Sequence, residues 1–380
     1  MGKYDDVITH IRELYKGKEF VPLHEPRFLG NEKKYVDECI DSTFVSSVGT
    51  FVDNFERQIA EFTGAKYAIA TVNGTAALHI ALMLSGVSMD DEVITQPLTF
   101  IATCNAISYI GAHPIFVDVD KNSLGLSAEK LEDFLRKNTE IRKKECFNKH
   151  TKRRIKAVVP MHTFGFSADI EALVKVCEKY NLPLVEDAAE SLGSYYKDKH
   201  TGTFGLFGAF SFNGNKIITT GGGGMIVTDN EDLAKKAKHI TTTAKVNHPW
   251  EYNHDMIGYN YRMPNINAAL GCAQIEALPE FLMRKRQLAM DYKSFFEDKP
   301  MEFLQGSKES VSNHWLNAVV LKSLEDRNVF LQETNNQGIM TRPIWKLMSR
   351  VKMFENAQKA NLDNAEWLED RVVNIPSSVR

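Results

Sequence analysis

Val7, Ile8, Ile11 and Leu14 recur at three- and four-residue spacing, which predicts a short amphipathic helix ending near Gly17. From about residue 50 onward the pattern changes, and helical stretches alternate with short apolar runs. These are YAIA (67–70), EVIT (92–95), PIFVDV (114–119), IKAVVPM (155–161), PLVEDA (183–188), GAFSF (208–212) and GMIVTD (224–229). Most are separated by enough chain for a helix, so the seven runs predict an α/β fold with a mostly parallel seven-stranded sheet covered on both faces. Ligands in such folds gather beyond the carboxyl ends of the strands. Apolar residues at helical spacing from Ile266 onward predict long helices. HWLNAVVL (314–321) and the turn at Gln337-Gly338-Ile339 predict a smaller α+β C-terminal domain. The expected division is a lead-in helix at 1–25, a large domain at 26–275 and a small domain at 276–380.

Composition narrows the function classes. The 380 residues are 43% apolar with a net charge of −3, as in a soluble globular chain. The 46 basic residues against 49 acidic ones leave no overall positive field for nucleic acid, and no run of about 20 apolar residues could span a bilayer. Five scattered cysteines without a CxxC pair encode neither a disulfide framework nor a metal site, so buried reduced thiols are expected. The first residues, MGKYDDVITH, lack the features of a secretory signal, and Asp6 stands where a myristoylation motif wants Ser or Thr; a cytoplasmic protein is expected. Between Arg136 and Lys156 there are ten Lys or Arg against two Glu, expected to form a solvated helix end and loop rather than an anion site.

Three segments carry candidate chemistry. NGTAALH (73–79) follows a strand and opens a helix whose first turn offers unpaired N–H groups and a positive dipole end to a phosphate. Gly74 permits close approach and Thr75 adds a hydroxyl, although an ordinary capped turn reads the same way. In VEDAAES (185–191) an apolar strand runs into Asp187, a carboxylate that needs a cationic partner unless it merely caps the next helix. In GAFSFNGNKIITTGGGGMIVTD (208–229), Lys216 occupies a polar loop before four glycines that leave room for something bulky. A loop lysine is usually solvated; in a partly desolvated, cation-rich pocket its amine would instead be freed for Schiff-base chemistry. A phosphate cradle, an acid for a ring nitrogen and a lysine nucleophile are together what pyridoxal 5'-phosphate demands.

With NGTAALH, QPLTFIATCNAI (96–107), GAHPIFVDVD (111–120), EDAAES (186–191), SFNGNKIITTGGGGM (211–225) and GYNYRMPNINAALGCAQIE (258–276), the chain resembles the DegT/DnrJ/EryC1/StrS family of nucleotide-sugar aminotransferases over nearly its whole length. SFNGNKIITTGGGG with GYNYRMPNINAALG is most similar to the branch acting on UDP-4-keto-6-deoxy-N-acetylhexosamines, as in bacillosamine and legionaminic acid biosynthesis. The alternatives are GDP- or dTDP-linked sugars, as in perosamine-type synthases, or amination at C3.

The resemblance implies an aspartate-aminotransferase-like (fold type I) enzyme with L-glutamate as amino donor. Lys216 would bond to the cofactor and move the proton, Asp187 would face its ring nitrogen, Gly74, Thr75 and Ser211 would hold its phosphate, and Phe100 would stack on its ring. Asn260 would reach the phosphate of a neighbouring subunit's cofactor, which implies a homodimer. Many relatives carry Gln where this chain has Glu190, beside the cofactor's phenolic oxygen; two anionic oxygens do not face each other cheaply, so Glu190 either holds a proton or makes another contact. Where relatives often carry GEGG, this chain has GGGG. Lys216 in place of the His of dehydratase members favours transamination. His162, Asn213 and Arg342 are candidates for substrate, each with a structural alternative: a satisfied core histidine, a turn asparagine and a surface salt bridge. Tyr259 and Arg262 are equally readable as packing residues. A regulatory protein that binds a ligand without chemistry is the non-enzymatic alternative, and it needs no Schiff-base lysine.

Overall fold

All seven apolar runs form strands of one sheet in the computed structural model, which describes residues 2–46 and 48–380. They are β1 (Tyr67–Thr71), β2 (Glu92–Thr95), β3 (His113–Phe116), β4 (Arg154–Val159), β5 (Val185–Asp187), β6 (Phe207–Ser211) and β7 (Gly224–Thr228). β7 lies antiparallel between β1 and β6, and β6 is parallel to β5. Hydrogen bonds from Val158 N to Pro183 O and from Asp187 N to Pro160 O join β5 to β4. β2 is parallel to both β4 and β3. The order is therefore β1-β7-β6-β5-β4-β2-β3, and β7 alone runs against the rest. β2 and β7 are buried along their whole length, which is why their sequences read as continuous apolar runs rather than alternating ones.

Helix α1 (Asp5–Leu14) is the expected lead-in helix, but it is part of a core: Val7, Ile8 and Ile11 pack with Leu288, Phe330 and Ile339. Helix α2 (Gly74–Leu84) is apolar on every side and packs against β6 and β7. Its first turn lies where Thr71, Gly224 and Ser211 stand in register across the sheet. A Cβ on Gly224 would sit 2.4 Å from the Asn73 carbonyl carbon, so this member of the glycine run admits the chain's own helix start rather than a ligand.

The basic stretch Arg136–Lys156 is not the expected helix end and loop. Its centre is a hairpin, Thr139–Arg142 paired with Glu145–Asn148, which adds antiparallel to the start of β4. Cys146 and Asn148 alternate inward while the charges stay outside, a period-two pattern that the density of Lys and Arg obscures in the sequence.

Helix α3 (Ile101–Tyr109) follows β2, and helix α4 (Asn265–Phe296) runs unbroken through Ile275 and Glu276. Beyond α4, a four-stranded sheet takes the order Glu302–Phe303, Asn317–Val320, Val372–Ile375, Arg342–Pro343, with antiparallel pairing throughout. All five cysteines are buried and unpaired. Among the described residues, no helix is long and apolar enough to cross a membrane.

Candidate active site

A cavity of about 320 Å³ opens beyond the carboxyl ends of β5 and β6. Its walls bring together residues remote in sequence: Gly74 and Thr75 from α2, Phe100 before α3, Asp187 and Glu190 after β5, and Ser211, Asn213 and Lys216 around the end of β6. The three segments that carried candidate chemistry therefore meet at one place.

At the phosphate end, the Asn73 side chain caps α2 by accepting from Ala76 N at 2.8 Å. The N–H groups of Gly74 and Thr75, at the first helical positions, have no intrahelical acceptor and border the cavity. Gly74 is required for closeness, since a Cβ there would lie 2.8 Å from Ser211 Cβ.

At the opposite end Asp187 is 2% exposed. Its Oδ2 accepts the Thr103 hydroxyl at 2.6 Å and its Oδ1 the Ala189 N–H at 3.2 Å. Burial pushes its carboxyl above the ordinary range, against the opposing pull of these two donors. Among the described residues no cation forms an ion pair with it, so a protonated ring nitrogen presented from the cavity would supply the missing charge.

Lys216 lies on a turn closed by its own N–H to Asn213 O at 3.0 Å. Its surroundings differ from the expected cation-rich pocket. Nζ contacts Glu190 Oε1 at 3.2 Å and sits 4.2 Å from the centre of the Trp315 ring. Glu190 is 3% exposed, and its second oxygen accepts the Phe164 N–H at 2.9 Å. Burial raises its carboxyl to about 7, with the Lys216 charge as the largest opposing influence.

Three sequence candidates lie elsewhere. His162 is fully buried: Nε2 pairs with Glu186 Oε2 at 2.9 Å, and Nδ1 accepts Ala168 N–H at 3.2 Å. With both nitrogens satisfied it is a structural residue, because the chain turns tightly at Phe164 (φ 58°) and carries the ring inward. Arg342 is not among the cavity residues; its guanidinium is occupied by Asn335 Oδ1 and the Thr341 carbonyl. Asn260 is exposed, bridged to Thr242, and does not border this chain's own cavity. Tyr259 stacks on Tyr261 and meets His79 of α2 edge-on, which is the packing role.

Sequence reasoning missed three residues. Trp315 covers Lys216, Trp345 packs 6.3 Å from Phe100 on the cavity wall, and Thr103 holds Asp187. Thr103 sits three residues after Phe100 on the start of α3, a spacing that faces the same side. Nothing in the local pattern relates either tryptophan to the lysine loop.

A strand-end cavity with a lysine, a buried acid and a helix N-terminus defines an aminotransferase-type site on this sheet. The chain belongs to the DegT/DnrJ/EryC1/StrS aminotransferase family, whose model matches residues 28–380. It is similar to the GDP-perosamine synthases of Escherichia coli O157:H7 (39% identity over 94% of this chain and 93% of that one) and Vibrio cholerae (35%, 94% and 94%). Among solved structures it resembles Helicobacter pylori PseC, an aminotransferase involved in the biosynthesis of pseudoaminic acid, with a TM-score of 0.84 at 26% identity over 94% and 93% of the two chains. The curated relatives named here are GDP-perosamine synthases, not members of the UDP-sugar branch that the loop motifs resemble. Enzymes of this family use pyridoxal 5'-phosphate, and the residues present fit it: an uncompensated buried carboxylate, a lysine and a helix start share one cavity.

Proposed function

We propose that the protein transfers the amino group of L-glutamate to the C4 keto carbon of a nucleotide-linked 4-keto-6-deoxy sugar, with pyridoxal 5'-phosphate as cofactor. The observation that carries this is the convergence of Lys216, Asp187 and the start of α2 on a single cavity. When bound, the cofactor supplies an electron sink that stabilises the carbanion left when a proton is removed from the carbon next to nitrogen. The chain supplies the rest. Gly74 and Thr75 N–H, with Ser211, bind the phosphate. Asp187 keeps the ring nitrogen protonated, and Thr103 fixes the orientation of its carboxylate. Lys216 Nζ takes the α-proton from one face and returns it at the sugar carbon. Phe100 and Trp345 form the wall that limits water on the other side.

The GDP-linked reading takes precedence over the UDP-linked one, because two relatives at 39% and 35% identity along 94% of this chain are GDP-perosamine synthases. The UDP-linked reading is kept by the resemblance of residues 211–224 and 258–271. We assign the active unit as a homodimer in which Asn260 approaches the partner's cofactor phosphate. In support, Trp250, Tyr252 and Ile257 are 78%, 80% and 86% exposed on the same segment, an apolar surface that a second copy would bury. The test is a half-reaction. The pyridoxamine-loaded protein is mixed with GDP-, UDP- and dTDP-linked 4-keto and 3-keto sugars, and the cofactor's visible absorption is followed. Recovery with a GDP-linked 4-keto sugar is expected; recovery with 3-keto sugars alone, or with none, refutes the proposal.

A further inference from the structure

The cation-rich surroundings that would ordinarily free a lysine are absent here, and a carboxylate stands in their place. Lys216 Nζ has Glu190 Oε1 on one side and the Trp315 ring on another. Both neighbours favour the ammonium form, which is not a nucleophile. The free amine therefore needs a local base. Glu190 is the carboxylate in contact with Nζ, and it is walled off from water.

From this contact we infer that Glu190 is a catalytic proton acceptor: it takes the proton of the Lys216 ammonium, one N–H bond breaking as one O–H bond forms, and stays protonated while the cofactor is bound. The inference rests on the aminotransferase reading and deepens it.

Three features of the geometry support the direction of transfer. Glu190 gives one oxygen to the Phe164 N–H and leaves Oε1 free for the proton from Nζ. The charged groups bearing on it are Lys216, from the loop after β6, and Asp187, on its own segment. The Lys216 charge is what holds Glu190 ionised. Once the amine gives up that charge, burial and the Asp187 carboxylate both push the proton onto Glu190. Its ordinary-range neighbour in solution would ionise far lower, and in this position the carboxyl already stands at about 7 with the lysine still charged. A neutral acid at this point also removes the clash foreseen between Glu190 and the cofactor's phenolic oxygen, because its O–H can donate to that oxygen.

The test compares the cofactor-loaded wild type with Glu190→Gln, which preserves shape and an acceptor for Phe164 N–H, and with Glu190→Asp, which preserves the acid. Infrared difference spectra at neutral pH should show a protonated carboxyl band in the wild type that is missing from Glu190→Gln. The rate at which stripped protein regains the cofactor's visible band should fall about ten-fold or more in Glu190→Gln at neutral pH, one pKa unit of amine availability per factor of ten. It should recover as pH rises, and Glu190→Asp should restore part of it. An unchanged reloading rate and pH profile in Glu190→Gln, or an ionised Glu190 in the loaded wild type, overturns the inference. A wild type that never forms the visible band would instead refute the cofactor reading itself, so the two failures are separable.

Discussion

The indole of Trp315 lies over the Lys216 amine, 4.2 Å from Nζ to the ring centre, while its Nε1–H donates to the Asn215 carbonyl at 2.6 Å. One side chain from beyond α4 thus covers the reactive group and fixes the backbone next to it. The Trp315 carbonyl is held in turn by the buried Lys285 Nζ at 3.1 Å. The lysine loop is exposed at Asn213 and Asn215, so this distant anchor supplies rigidity that the loop's own sequence lacks.

Removing the anchor in steps separates its roles. Trp315→Phe keeps an aromatic face and drops the donor, so it should cost about 1 kcal/mol of stability. Trp315→Ala removes both and should cost about 3–5 kcal/mol. Chemical denaturation midpoints measure both variants. The Ala variant should also lose cofactor faster on dialysis, and equal cofactor retention by all three proteins would show that Trp315 does not order the lysine loop.

Gly74→Ala tests the phosphate cradle. The new Cβ would meet Ser211 Cβ at 2.8 Å, so the end of β6 and the start of α2 must part at the point where the phosphate binds. Cofactor affinity, read by equilibrium dialysis, should fall about ten-fold or more. An unaltered affinity would place the phosphate elsewhere.

Thr103→Val deletes the 2.6 Å hydrogen bond to Asp187 at nearly constant volume. The remaining protein donor to that carboxylate is Ala189 N–H, and leaving a buried acceptor short costs about 1–3 kcal/mol. Turnover should drop about ten-fold, with Thr103→Ser restoring most of it. Steady-state kinetics decide the matter, and a Val variant within about two-fold of wild type would remove Thr103 from the site.

His200 makes the fold sensitive to acid. It is 2% exposed and its Nε2 accepts Gly193 N–H at 2.7 Å, so the ring is held neutral, and burial lowers its pKa to about 4. Between about pH 6.5 and about pH 4 the unfolded chain binds a proton here that the folded chain refuses. Stability therefore falls with pH across that window, by about 1.4 kcal/mol per unit from this residue. Urea midpoints at about pH 7 and about pH 5 should show the wild type losing about 2 kcal/mol more than His200→Gln; parallel losses would mean that His200 titrates normally.

The sequence made the strands legible because each is buried on both faces and so reads as a short continuous apolar run. The strand-end residues Asp187 and Lys216 and the helix start at Gly74 were legible for a related reason: chain position relative to a strand sets which way a side chain leads. His162 shows where that rule stops. It also follows a strand, but the turn at Phe164 carries it into the core against Glu186. The hairpin at 139–148 was hidden by its charge, since Lys and Arg on the outer face mask the inward alternation of Cys146 and Asn148. Trp315 and Trp345 reach the cavity only through the packing of the C-terminal region, which no local spacing encodes. Arg342 lies close to Trp345 in the chain, yet its side chain is turned toward Asn335 and Thr341.

Borohydride reduction of the cofactor-loaded protein, followed by peptide mapping in a mass spectrometer, tests the central assignment most directly. The account predicts one pyridoxyl adduct, on Lys216. Lys285 is the instructive rival, because it is fully buried and burial lowers its amine to about 7. An adduct on Lys285, or on no lysine at all, would contradict the site described here.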